Sequence, residues 1–165
     1  MTMLDIGLTV INVILAIVSG IGAYKSAKYF QKSKNLTIFA QINKALVEVQ
    51  KMLVKLPEAL SASNLSRRGK KGLSLHNTLC DIGQELNTNL TEINSNIPPE
   101  YIDRFRQLQN KNGFNLQTYI NSYISGDAVN VEGIDSEDFN TCQARLLEMQ
   151  DYLKKVALEI EEKWK

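Results

Sequence analysis

The side chains with the most potential for covalent or metal chemistry are one histidine and two cysteines. His76 stands four residues before Cys80, so both would share one helix face, but a metal site needs further ligands and none lies nearby. Cys142 is far along the chain, and the two cysteines do not have a metal-type spacing. We therefore expect two free, buried thiols, and a histidine that lies on the surface or at a helix start.

The sequence also lacks the signatures of common catalytic sites. A nucleophilic Ser or Cys needs an adjacent base, and the single histidine lies near neither G-x-S-x-G nor a reactive-cysteine motif. The paired carboxylates of Glu161 and Glu162 lie at a charged helix end, and no glycine-rich nucleotide loop is present. We predict a protein that is not an enzyme and that uses no cofactor and no metal.

The interaction that the sequence favours most is with a lipid bilayer. Ile6–Tyr24 contains no charged side chain over nineteen positions. A helix of that length spans about 28 Å, close to the roughly 30 Å hydrocarbon core. A signal peptide would begin with basic residues, whereas the only charged residue before the stretch is Asp5. We predict a single membrane-spanning helix within residues 1–34; a signal peptide and a buried core helix are the alternatives.

A basic flank follows the apolar stretch and predicts its orientation. By the positive-inside rule, the C-terminal side would face the cytoplasm, which makes the chain a single-pass membrane protein with a cytoplasmic domain. Tyr24, Tyr29 and Phe30 suit the level of the lipid headgroups. The lysines of this flank would contact anionic lipid or a protein partner. They are Lys25, Lys28, Lys32 and Lys34.

Small and polar residues inside the stretch predict packing of helices within the membrane. Small residues let two backbones approach closely, and an amide in hydrocarbon seeks a hydrogen-bond partner. The residues concerned are Asn12, Ala16, Ser19, Gly20 and Ala23. We predict a homo-oligomer on this basis. The alternative is a helix that is buried in the protein, inserts on activation and permeabilises the membrane.

Residues 35–165 are expected to form a small antiparallel helical bundle. No proline or glycine occurs between Ala23 and Leu56, so the membrane helix can continue into the first bundle helix. Pro57 is expected to kink or end that helix. The predicted seam has coiled-coil spacing, broadened on one side. Its residues are Phe39, Ile42, Leu46, Val49, Leu53, Leu56 and Leu60, broadened by Ile38, Ala45, Met52 and Ala59.

A basic loop is predicted between the first two bundle helices, over Ser61–Ser74. Its charges would suit acidic lipid, nucleic acid or an acidic protein surface, and a solvated turn is the alternative. No aromatic residue is interleaved, which disfavours stacking of single-stranded bases, so we favour lipid or protein over nucleic acid as the partner. The charged residues are Arg67, Arg68, Lys70 and Lys71.

Three shorter patterns and one long pattern complete the predicted all-α fold. A helix is expected over about Ser74–Ser95, a short one after Pro99, another around Tyr119, and a long final helix from Ser136 to near Lys165. The tyrosines of this region are expected to line the edge of the bundle, where their hydroxyls reach water.

The general plan of an apolar helix that leads a small bundle resembles that of many membrane-anchored bacterial proteins. It also resembles, loosely, cell-death domains whose first helix attacks membranes. The sequence thus predicts a non-enzymatic membrane-anchored protein that self-associates and recruits or scaffolds an unidentified protein partner on the cytoplasmic side. A membrane-permeabilising effector in cell death or defence is the alternative function.

Overall fold

Helices are the only regular secondary structure in the described part of the chain, so the predicted all-α fold class is confirmed there. The structure is a computed structural model, and it describes residues 3–67, 73–125 and 136–163, with side chains for 15–62, 77–125 and 138–163. The α-helices are α1 (Met3–Arg67), α2 (Leu73–Asn96), α3 (Ile102–Gln109), α4 (Leu116–Ser125) and α5 (Ser136–Glu162). A short 3-10 helix, Pro99–Tyr101, precedes α3.

The first helix is far longer than its neighbours. It runs without interruption for 65 residues, which corresponds to roughly 97 Å. The expectation that the apolar stretch continues into the first bundle helix is therefore confirmed for the backbone.

Of the two outcomes predicted for Pro57, a kink or an end of the helix, the end was wrong, because α1 continues to Arg67. Pro57 is exposed and removes one intrahelical hydrogen bond, whereas Leu56 and Ala59 on either side of it are buried in the core. Tertiary packing thus outweighs the local cost of the proline. The loop predicted over Ser61–Ser74 is helical at both of its described ends, because helix extends to Arg67 and resumes at Leu73.

The C-terminal half of α1 is packed between α2 and α5, and α2 also packs against α4. Two ion pairs show that α1 and α2 are antiparallel. Lys44 Nζ lies 3.4 Å from Glu92 Oε2, and Lys55 Nζ lies 2.9 Å from Glu85 Oε2, so the partner number falls as the α1 number rises.

The buried face of α1 is rotated by about one residue from the predicted centre of the seam. Phe39, Leu46, Leu53 and Leu60 are only half-buried. The rotation places Ala45 and Ala59 at the centre, and small side chains there allow close approach of neighbouring helices. The fully buried positions follow the predicted spacing of three and four. They are Ile38, Ile42, Ala45, Val49, Met52, Leu56 and Ala59.

Two tyrosines of α4 are buried, so the expectation that they line the bundle edge was wrong. Tyr119 is 8% exposed and Tyr123 is fully buried. Their hydroxyl oxygens lie 2.8 Å apart, and the rings meet edge to face with centroids 5.4 Å apart. Each hydroxyl therefore has the other as its hydrogen-bond partner, so neither tyrosine has to reach water.

A close approach of α2 to α4 occurs at Gly83. A Cβ atom built at this residue would lie 2.9 Å from Ile124 Cγ1 and 3.1 Å from the Ile124 backbone nitrogen. Gly83→Ala should lower the free energy of unfolding by about 1–2 kcal/mol, because the clash outweighs the gain in helix propensity. Urea unfolding measures this effect. Thr88→Ala, at an exposed position of the same helix, is the control; equal effects of the two substitutions would contradict the packing.

Candidate membrane-binding arm

The feature that stands apart from the bundle is the N-terminal part of α1. We call residues 3–34 of α1 the arm. Every described side chain from residue 15 to residue 34 is exposed, and the first buried residue of α1 is Ile38. The described part of the arm is therefore a helix that the bundle does not cover.

The exposed surface of the arm is apolar on more than one side. Leu15, Ile17, Val18 and Ile21 are between 52% and 61% exposed, although their spacing places them on different faces of the helix. A helix that is apolar all round is ordinarily buried in protein or lipid. Each Å² of apolar surface left in water costs about 25 cal/mol. The arm is thus expected to be covered by another surface.

The small residues predicted to pack helices together lie open on the arm. Ala16, Ser19, Gly20 and Ala23 are all exposed. A Cβ atom built at Gly20 would meet nothing within 4 Å. The described part of the bundle therefore leaves these residues uncovered, and they form a face that a second helix can approach closely. The side chain of Asn12 lies outside the described residues.

Three lysines lie along one side of the arm where its charged part begins, and we call Lys25, Lys28 and Lys32 the basic collar. Together with Tyr24 and Tyr29, they line a shallow groove of about 530 Å³ that extends to Gly20 and Ile21. Both tyrosines are more than 70% exposed. Among the described residues, no carboxylate lies within ion-pair distance of the collar. Aromatic rings and unpaired ammonium groups at one level suit a lipid headgroup region.

The other predicted cationic residues are placed differently. Lys34 Nζ lies 4.0 Å from Glu100 Oε2, a contact that joins the base of the arm to the 3-10 helix. Arg67 is the last residue of α1, and its side chain is outside the described set. Arg68, Lys70 and Lys71 also lie outside the described residues, so the proposed role of this basic loop stays a prediction.

Within the described ranges, no helix meets the combined length and hydropathy requirements of a membrane span. The side chains of residues 6–14, the first part of the predicted span, lie outside those ranges. The described residues also contain no group of three metal-ligating side chains.

The reactive groups of the bundle are buried or engaged. Cys80 and Cys142 are free thiols, as predicted; Cys142 is buried and Cys80 is half-buried. Burial raises the pKa of the Cys142 thiol, which disfavours the nucleophilic thiolate. Burial also raises the pKa of Tyr119 and raises that of Tyr123 to about 12. These groups form a neutral cluster whose role is packing.

An ion cluster that the sequence did not reveal links α5 to the segment after α3. Arg145 Nη1 donates to Glu148 Oε2 at 2.7 Å, and Lys111 Nζ lies 3.3 Å from the same carboxylate. Partial burial opposes ionisation of Glu148, but hydrogen bonds from Arg145 and Lys111 outweigh it and lower the pKa of Glu148. In the sequence, only the three-residue spacing of Arg145 and Glu148 indicates an ion pair. The contact with Lys111 has no local signal, because Lys111 lies 37 residues before Glu148.

Comparison with known proteins gives no relative: no family model, no curated protein and no solved structure matches this chain. The functional argument therefore depends on the arm and the bundle themselves.

Proposed function

We propose that this chain is a non-enzymatic, membrane-anchored helical protein that self-associates and recruits or scaffolds a protein partner on the cytoplasmic side. One observation carries the proposal. The described arm is exposed and apolar, and it belongs to the same unbroken helix that forms the centre of the bundle. Lipid is the surface that would cover such an arm on all sides.

The sequence beyond the described side chains extends the same argument. Residues 6–14 continue the uncharged stretch toward the N-terminus. With the arm in the bilayer, the basic collar would meet the headgroups, and the bundle would stand directly above them. Because α1 has no interruption, helix packing within the bilayer would be transmitted to the bundle outside it. Residues 1–34 and 35–165 would then move together as one rigid body.

Neutralising the basic collar should weaken binding to anionic membranes more than binding to neutral ones. Each lysine near an anionic surface contributes about 1 kcal/mol, so Lys25→Gln/Lys28→Gln/Lys32→Gln should lose about 3 kcal/mol at low salt. Flotation of the purified chain with phosphatidylserine-containing vesicles measures binding to anionic membranes, and flotation with pure phosphatidylcholine vesicles measures binding to neutral ones.

The matched control for the collar replaces three exposed lysines of the C-terminal region, namely Lys154, Lys155 and Lys163. This variant has the same net charge as the collar variant. If both variants lost binding equally, net charge alone would explain the result, and the collar would have no particular role.

Self-association is tested at the small residues of the arm. Ala16→Leu/Gly20→Leu should reduce chemical cross-linking between copies in membranes and reduce recovery of partner proteins in a pull-down, because bulky side chains prevent close helix approach. Both positions are exposed, so the bundle should fold normally.

The control for this pair is Ile17→Leu/Ile21→Leu, which keeps bulk on neighbouring positions of the arm. Oligomers and partners that are unchanged by Ala16→Leu/Gly20→Leu would argue strongly against a role for the small residues.

The second candidate function is a membrane-permeabilising effector. The specific observation in its favour is that every described side chain of the arm is exposed, so few contacts, among them that of Lys34 with Glu100, would have to break before insertion. Dye release from anionic vesicles by an oligomeric preparation separates the two functions. Leakage favours the effector, whereas stable anchoring with no leakage, and expression that is harmless to cells, favours the scaffold.

A further inference from the structure

The side of α1 that faces away from the core carries exposed apolar residues at a regular interval. Val47 is 47% exposed and Val54 is 72% exposed, although the residues two positions before and after each of them are fully buried. A step of two residues turns a helix by about 200°, so these valines point almost directly away from the core. Ala40, seven residues before Val47, is exposed as well.

The same interval continues into the arm and defines a complete heptad pattern. The first column of this pattern continues from Ala40 toward the N-terminus in steps of seven residues, through Ser33, Ser26 and Ser19. A second column of residues lies between these positions, at alternating steps of three and four residues. We call the two columns together the outer seam. None of its positions is charged, and all are exposed except half-buried Asn43. They are Leu15, Ser19, Gly22, Ser26, Tyr29, Ser33, Leu36, Ala40, Asn43, Val47, Gln50 and Val54.

The chemistry of the first column changes just beyond the basic collar. On the arm it consists of serines, and Asn12 stands one further heptad toward the N-terminus; from residue 40 onward it consists of alanine and valine. In hydrocarbon, small and polar residues favour helix association, whereas in water apolar residues do so. If one helix–helix interface passed from lipid into water, its residues would change from small and polar to apolar at the membrane surface, just beyond the basic collar.

Where the outer seam runs along the bundle, from residue 40 to residue 54, the lysines beside it are already paired within the chain. Lys44 contacts Glu92, Lys51 Nζ lies 2.7 Å from Glu48 Oε1, and Lys55 lies 2.9 Å from both Glu58 and Glu85. Two copies brought together along this face would therefore present neutralised flanks to each other. Like-charge repulsion between the two bundles is thereby reduced, whereas the lysines of the basic collar would be offset by anionic lipid headgroups.

We infer that the outer seam is a parallel interface for a second copy of this chain, continuous from the bilayer to the outer surface of the bundle; on the arm it shares Ser19 with the small residues described above, and Ala16 and Ala23 border it. The inference rests on the proposed function, because arms inserted into one membrane from one side must be parallel. A seven-residue repeat drifts by about 20° per heptad on a straight helix, so the paired helices supercoil left-handedly. Asn43 and Gln50 place amides in this seam, where such groups set register.

Cysteine cross-linking tests the interface, since a two-fold parallel contact brings each seam residue close to its own copy. The full chain in membranes carries Val47→Cys or Val54→Cys together with Cys80→Ser, and buried Cys142 is retained in all variants. Leu158→Cys, which is 60% exposed on α5, is the matched control. We expect at least tenfold more disulfide dimer at residue 47 or residue 54 than at residue 158. Equal yields, or cross-links only to other proteins, would overturn the inference.

A charge-exchange experiment gives independent evidence without weakening the fold. Val47→Lys alone and Val47→Glu alone should each reduce cross-linking through Val54→Cys, and co-expression of the two should restore it. No restoration would contradict direct contact between copies. Retention of the chain in carbonate-washed membranes with no dimer would overturn this inference alone, whereas loss from those membranes would overturn the proposed function as well.

Discussion

Replacing Leu15 and Val18 together by arginine is expected to move the chain from the carbonate-washed membrane pellet into the supernatant. Each arginine near the centre of a spanning helix costs about 2.5–3.5 kcal/mol, so the pair costs about 6 kcal/mol. Both side chains are more than half exposed on the arm. The bundle should therefore fold as before, and circular dichroism of the released protein should remain helical.

The control is Leu147→Arg/Leu158→Arg, which places arginine at two exposed apolar positions of α5. This variant adds the same charge to the chain but leaves the arm intact, so it should remain in the pellet. Retention of the Leu15→Arg/Val18→Arg chain at the level of the parent would show that the arm does not hold the protein in the membrane.

Raising the pH from about 10 to about 12 is expected to destabilise the bundle steeply, because Tyr119 and Tyr123 must remain neutral while buried. Burial raises the pKa of Tyr123 to about 12, although its hydrogen bond with Tyr119 opposes the rise, and burial also raises the pKa of Tyr119. In the unfolded chain both phenols lose their protons near pH 10. Above that pH the unfolded state binds fewer protons than the folded state, so stability falls as pH rises.

The size of this effect follows from the number of protons involved. Each phenol contributes a loss of about 1.4 kcal/mol per pH unit between its unfolded and folded pKa, or about 3 kcal/mol per unit for the pair. The stabilisation is fully present below pH 10. Urea midpoints measured from pH 7 to pH 11.5 should fall slowly above about pH 8.5, where the buried Cys142 thiol begins to contribute, and steeply above about pH 10.

The variant that tests the assignment is Tyr119→Phe/Tyr123→Phe, which removes both ionisable hydroxyls together and leaves no unpaired partner. Its stability should decline less steeply above pH 10, and the remaining slope includes the Cys142 thiol, whose pKa is also raised. Tyr24→Phe/Tyr29→Phe, on the exposed arm, should leave the original slope unchanged. Equal slopes for both pairs would contradict the role of the buried phenols.

Residue patterns in the sequence predict the helices well where one face is clearly apolar. The final helix begins at Ser136 as predicted, and the helix expected over Ser74–Ser95 is present as Leu73–Asn96. Pro57 was misleading, because local propensity cannot reveal that Leu56 and Ala59 are held by neighbouring helices. Tyr119 and Tyr123 were misleading as well, because the partner that lets each be buried is the other tyrosine.

The candidate site was only partly predictable. The arm and its lysines follow from composition alone, since a long uncharged stretch next to a basic flank is a local property of the chain. The outer seam is different, because Val47 and Val54 lie among stronger apolar residues that belong to the core. Only their exposure in the folded bundle separates the two patterns and connects the valines with Ser19, Ser26 and Ser33.

The central claim is that the arm anchors a folded helical bundle in the membrane. The most direct test is the distribution of the full-length chain after membranes are washed with alkaline carbonate, which removes peripheral proteins but leaves inserted helices in place. The proposed function predicts that the chain remains in the pellet and that the Leu15→Arg/Val18→Arg variant does not. Release of the unaltered chain into the supernatant would contradict membrane anchoring.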